Sequence, residues 1–125
     1  VTLKPGDIRP VIDIETVPGN AASKKTYVQR CEEFLAEVTT ALGGTRPFIY
    51  TRKDILASLG NPASFKDCPL WLARYSSSPP PLPTGFTSYV AWQYSDKGSV
   101  DGITGHVDLN TLNVTFAKFK STYCI

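Results

Sequence analysis

The sequence predicts an α/β protein, with parallel strands joined by crossover helices in its first half and strands joined by loops in its second. Three observations carry that prediction. Short β-branched or aromatic runs recur at 10–14, 47–51 and 70–75. Helical stretches lie between them, at 23–42 and again just after residue 51. Beyond Tyr75 the strand-like runs continue, at 89–94 and 106–109, with no helical stretch between. Alternation of strand and helix is the pattern of a parallel sheet with crossover connections.

Each element has its own local reason. Residues 10–14 (PVIDI) form an apolar, β-branched run broken by one carboxylate, which suits a buried strand. Pro18, Gly19 and Asn20 make a turn cluster. From 23 to 42, Tyr27, Cys31, Phe34, Leu35, Val38 and Leu42 recur at spacings of three and four, one face of an amphipathic helix that Gly43 and Gly44 stop. Lys24, Lys25, Arg30, Glu32, Glu33 and Glu37 fall mostly on the solvated face. PFIYT (47–51) is the second strand, and Thr51 with Asp54 reads as a capping pair opening a short helix through Leu59, ended by Gly60. LWLARY (70–75) is the third strand. The Ser- and Pro-rich stretch 76–83 reads as a rigid surface loop, because consecutive prolines are stiff and extended. YVAWQY (89–94) and HVDL (106–109) are the fourth and fifth strands. After Asn110 the periodicity fits helix and strand equally.

A length of 125 residues suits one small domain with a modest core. With 42% apolar and 19% charged residues, the chain reads as soluble and globular rather than disordered. A net charge of +2, with no Lys/Arg block or aromatic-basic stripe, argues against a nucleic-acid partner. Apolar runs such as 10–12 and 47–50 are far too short to span a membrane. No signal peptide is visible, and Val1 in place of Met leaves the start of the gene product open. Cys31, Cys68 and Cys124 fit no zinc spacing, and with a single histidine no metal site is expected. One disulfide with a free thiol and three reduced, buried thiols both fit the cysteine count.

The residues that suggest chemistry are Asp13 and Glu15, at i and i+2 around the end of the first strand. Period-two geometry puts both carboxylates on one face. Two carboxylates aimed into one cavity push their pKa values apart, and glycoside hydrolysis uses that division: an acid for the leaving oxygen, an anion for the cationic transition state. The same pair also fits a strand that simply ends in solvent. Tyr50, Trp71, Tyr75, Trp92 and Tyr94 lie in or at the end of strands, as core residues or as flat faces for sugar rings. Arg74 and Gln93 stand beside them with hydrogen-bonding capacity. Asp108 and Asn110 repeat the i, i+2 geometry on the last strand, and His106 reads as structural.

Taken in order, these segments resemble the lysozymes of glycoside hydrolase family 25, also called Chalaropsis-type muramidases. LKPGDIRPVIDIE (3–15) is similar to the stretch leading into the family's catalytic D-x-E, PFIYT to the next strand, and LWLARYSSSPPPLP (70–83) to the one after. WQYSDKGSVDGITGHVDLN (92–110) resembles the family's closing motif, the longest and most specific of the four. The resemblance implies hydrolysis of the β-1,4 bond between N-acetylmuramic acid and N-acetylglucosamine in peptidoglycan, by a secreted or wall-released enzyme. It implies Glu15 as general acid, Asp13 as the carboxylate that steadies the developing positive centre with the substrate's 2-acetamido group, and Asp108 as a further active-site acid. Tyr50, Trp71, Tyr75, Trp92 and Gln93 would bind substrate. The implied fold is a flattened, irregular β/α barrel without metal or organic cofactor.

One departure follows. The family's domain begins with a strand carrying a D-V-S type motif and two further strand-helix units, and these are absent from 1–125. The chain is therefore expected to be the C-terminal portion of one lysozyme catalytic domain. Three situations fit: a piece of an ordinary lysozyme, a short protein whose barrel a second chain completes, or a noncatalytic peptidoglycan-binding module. An open barrel would leave strand edges unpaired.

Overall fold

Asn20 starts the longest helix. Its backbone is extended, and its side-chain Oδ1 accepts the Ser23 N–H at 2.9 Å, satisfying a first-turn donor that has no partner inside the helix. The computed structural model describes residues 2–125, and there this helix, α1, runs Ala21–Ala41 between strand β1 (Val11–Ile14) and strand β2 (Phe48–Thr51). At its far end Gly43 and Gly44 both take positive φ. Their N–H groups close on the carbonyls of Thr40 (3.1 Å) and Thr39 (2.9 Å), a turn that side chains with a Cβ resist. Asn20→Ala is expected to cost about 1 kcal/mol. A shift of the urea midpoint with unchanged slope would register it, and an unshifted midpoint would remove the cap from the stability account.

The remaining elements are α2 (Lys53–Ser58), a 3₁₀ turn (Ala63–Phe65), β3 (Leu70–Ala73), β4 (Ala91–Gly98), β5 (Val107–Leu112) and α3 (Phe116–Tyr123). The five strands form one sheet in chain order. The first three pairings are parallel and β4–β5 is antiparallel. This mixed α/β arrangement matches the expected class. The Ser- and Pro-rich stretch carries the chain from β3 to a parallel β4 without a helix, as expected.

Several details differ from the sequence reading. Thr51 does not cap α2. It is fully buried in β2, where its hydroxyl donates to the Ile14 carbonyl at 2.7 Å, so Arg52 takes the N-cap position without a side-chain bond. Strand β4 runs past residue 94 to Gly98 through two bulges, and β5 runs on to Leu112. The undecided tail is strand, then helix: Thr115 opens α3 by accepting the Lys118 N–H on its hydroxyl at 3.2 Å. Phe34, expected on the apolar face of α1, is 38% exposed, while Cys31 and Leu35 go to the core. The 3₁₀ turn had no sequence expectation. Its buried Phe65 plugs the core.

The core has two parts because the sheet has two covered faces. Ile14, Ile49, Leu70 and Leu72 meet Cys31 and Leu35 of α1 and Ile55 and Leu56 of α2 on one face. On the other, Phe48 and Val90 pack under Phe119 of α3, with the Tyr123 ring 5.5 Å from that of Phe48. This second cluster covers only the end of the sheet where the parallel strands begin. The carboxyl ends of those strands stay open on that face. The three cysteines are free thiols, Cys31 and Cys68 buried and Cys124 half-buried. Among the described residues, no helix is long and apolar enough to cross a membrane.

Candidate functional site

Register and pleat decide which side chains share the open face. Asp13 pairs with Tyr50, Tyr50 with Trp71, and Ala73 with Gln93 across parallel strands; Gln93 pairs with Asn110 across the antiparallel pair. Residues in register point to the same side of a sheet. Asp13, Tyr50, Trp71, Gln93 and Asn110 thus project away from α1 and α2, whose side is filled by Ile14, Thr51 and Leu72. Glu15 lies two residues beyond Asp13, and Asp108 two before Asn110. Both carboxylates of the first pair, and Asp108, are exposed.

Hydrogen bonds tie this row together. The Tyr50 hydroxyl donates to Oε1 of Gln93, and the Tyr75 hydroxyl reaches the same oxygen at 3.5 Å. Gln93 is only 3% exposed, so its amide acts as a bracket between two tyrosines. The Trp71 indole N–H donates to Oδ1 of Asn110 at 2.8 Å, and the Tyr50 ring meets the Trp71 ring edge-on at 5.5 Å. Four strands are thereby cross-linked through side chains at the carboxyl end of the sheet.

The electrostatics are set by partial burial beside two acids. Burial and then the neighbouring charge of Glu15 raise the Asp13 carboxyl above the usual aspartate value. Burial first, then Tyr75, Glu15 and Asp13, push the Tyr50 phenol well above its ordinary value. Tyr50 therefore stays protonated, a fixed donor rather than a base.

Not every expected site residue joins the cluster. Trp92 stands in register with Leu72 rather than with Trp71, so the pleat directs it to the opposite side of β4 from Gln93. Its indole donates to the Arg74 carbonyl at 2.8 Å, and its ring meets Tyr94 at 5.9 Å. Tyr75 is 53% exposed just beyond β3, at the lip of a hollow of about 570 Å³ whose lining includes Arg52, Arg74 and Pro80. Asn110 joins the row as well, and its alternation with Asp108 is the sequence signal that places it on the open face.

A mixed α/β sheet with acids and aromatics gathered where its parallel strands end presents a candidate site in the usual place for such folds. The family model of glycosyl hydrolases family 25 matches residues 1–103, and the chain belongs to that family. It is 33% identical over 105 residues to the autolytic lysozyme of Clostridium acetobutylicum, covering 83% of this chain and 30% of that protein. The muramidase structure from Acremonium alcalophilum superposes with a TM-score of 0.73 at 31% identity, over 92% of this chain and 55% of that one. The bacterial lysozyme structure from Streptomyces coelicolor gives 0.78 at 28% identity, over 95% and 60%. The chain spans less than two-thirds of the length of each of these relatives.

Proposed function

We propose that residues 1–125 are the C-terminal portion of one lysozyme catalytic domain that cleaves the β-1,4 bond from N-acetylmuramic acid to N-acetylglucosamine in peptidoglycan. The observation that carries this reading is the Asp13–Glu15 pair at the carboxyl end of β1, with Asp13 on the same face as Tyr50, Trp71 and Gln93. Names of the relatives, an autolytic lysozyme and a muramidase among them, support the same chemistry.

In this reading Glu15 is the general acid. As the bond from C1 to the leaving oxygen breaks, the oxygen keeps the electron pair and takes the Glu15 proton. The 2-acetamido oxygen of the muramic residue closes on C1, and Asp13 steadies the positive charge that spreads over ring and acetamido group. Water then opens this intermediate, giving its proton back to Glu15. Asp108, on β5, would act as a third acid. Tyr50, Trp71 and Tyr75 offer rings and polar tips to the glycan, and Gln93 holds two of them in place; Trp92, on the other face of β4, takes no part. No metal or organic cofactor takes part.

The sheet would be part of a flattened β/α barrel. Strands β1 and β5 each leave an edge without a partner among the described residues, and further strands, from the same polypeptide or a second chain, would close it. The substrate places the enzyme outside the cell, at the bacterial wall. The test is product analysis: purified peptidoglycan is digested, reduced with borohydride and hydrolysed. Reduced muramic acid is expected. Reduced glucosamine would move the cut to the other glycosidic bond, and wall binding without new reducing ends would make the chain a binding module.

A further inference from the structure

At the opposite end of the sheet from the carboxylates, where the parallel strands begin, lies a second polar hollow of about 340 Å³. Arg9, Arg46 and Lys66 all line it, with Asp67 as the single carboxylate and the hydroxyls of Thr87 and Ser88 on its wall. Arg9 is partly buried there. Its terminal nitrogens reach the carbonyls of Arg46, at 3.5 Å, and Thr122, and its Cζ lies 5.5 Å from the centre of the Tyr123 ring. Its Nε is buried and has no hydrogen-bond partner. Arg46, half-buried, lines the same hollow.

None of the three cations has a carboxylate within ion-pair distance. The ion pairs among the described residues are Arg30–Glu33 and Arg52–Asp54, both on the surface elsewhere. A partly buried guanidinium that shares a hollow with two more cations and has no ion-pair partner is stabilised when something anionic meets it. Burial lowers the pKa of Arg9, against the opposing pull of Tyr123 and Cys124. Guanidinium forks suit tetrahedral oxyanions, and flanking hydroxyls add neutral donors. The hollow has room for a phosphate ester with part of the group attached to it.

We infer that this hollow is an oxyanion-binding site of the phosphate class, held by Arg9, Arg46 and Lys66 and separate from the carboxylate face. Free phosphate and the phosphodiester of a polymer present the same chemistry, and the experiment separates them. The protein is titrated at constant ionic strength with inorganic phosphate and, separately, with poly(glycerol phosphate), following backbone amide shifts by NMR. Saturable shifts confined to Arg9, Arg46 and residues 66–70 and 86–90 are expected, with affinity weakened about tenfold or more in the Arg46→Gln/Lys66→Gln double variant. Arg9 ties the chain's end to the body, so Arg9→Gln can fail for reasons of folding; the double variant leaves those bonds in place. Saturation by phosphate alone assigns the site to a free anion, and tighter, salt-dependent saturation by the polymer assigns it to a phosphodiester chain. Non-saturating shifts with both probes, or equal affinity in the double variant, overturn the site. Neither readout depends on hydrolysis, so the outcome stands apart from the muramidase reading.

Discussion

Glu15→Gln is expected to lower peptidoglycan hydrolysis by about 10²–10⁴-fold, the range a positioned proton donor contributes. Glutamine keeps the shape and the acceptor oxygen but has no proton to deliver to the leaving group. Glu15 is exposed and makes none of the side-chain hydrogen bonds that join the strands, so the exchange should leave the fold intact. Wall binding, measured by co-sedimentation with bacterial walls, should be retained, because the rings of Tyr50, Trp71 and Tyr75 are untouched. The check is the rate of new reducing ends beside the melting temperature. Turnover equal to that of the parent protein would remove Glu15 from the acid role and turn attention to Asp108.

Asp13→Asn should pull activity and stability in opposite directions. Hydrolysis is expected to fall by a similar factor of about 10²–10³, since the developing positive charge loses its nearest anion. Stability near neutral pH should rise slightly. The sign follows from linkage. Burial and the Glu15 charge raise the Asp13 carboxyl in the folded protein above its ordinary value of 3.8, so the unfolded chain gives up this proton first. Folding is then penalised at pH above the folded value, and the penalty is absent below the unfolded one. Thermal melts should accordingly show the variant ahead at pH 7 and level with the parent below about pH 3.8. Because Asp13 is exposed, solvent screening keeps the gain small. A parent more stable than the variant at pH 7 would mean that Asp13 is held by favourable partners and would overturn this account. The trade itself is the usual mark of a group placed for chemistry rather than for the fold.

Much of the candidate site is legible in short-range rules alone. The i, i+2 step from Asp13 to Glu15 put two acids on one face, and the same step from Asp108 to Asn110 put an acid and an amide on one face of the last strand. The apolar face of α1 was legible in Tyr27, Cys31 and Leu35, and Gly43–Gly44 marked its end. Where the reading slipped, a long-range contact was the cause. Thr51 looks like a helix cap to any local rule, yet the Ile14 carbonyl, distant in sequence, claims its hydroxyl at 2.7 Å. Trp92 looks equivalent to Trp71, both being tryptophans in strands. Only the offset between β3 and β4 puts one on the open face and the other behind it.

The boundary between the two kinds of information is therefore physical. Strand or helix for the main elements before Asn110, the turn cluster at Pro18–Asn20, the helix stop, the pairing of acids and the family resemblance of the four motifs all depend on neighbours within a few residues, and the sequence alone determined them. Inter-strand register depends on how the layers pack against one another, with Phe65 and Leu35 filling one side and Phe119 the other. That packing brought Tyr50, Gln93 and Tyr75 to one amide, and Trp71 to Asn110. It also gathered Arg9, Arg46 and Lys66 into one hollow at the far end of the sheet. No local pattern encodes those meetings, because each joins side chains whose separation along the chain far exceeds the reach of any local periodicity, and only tertiary structure decided them.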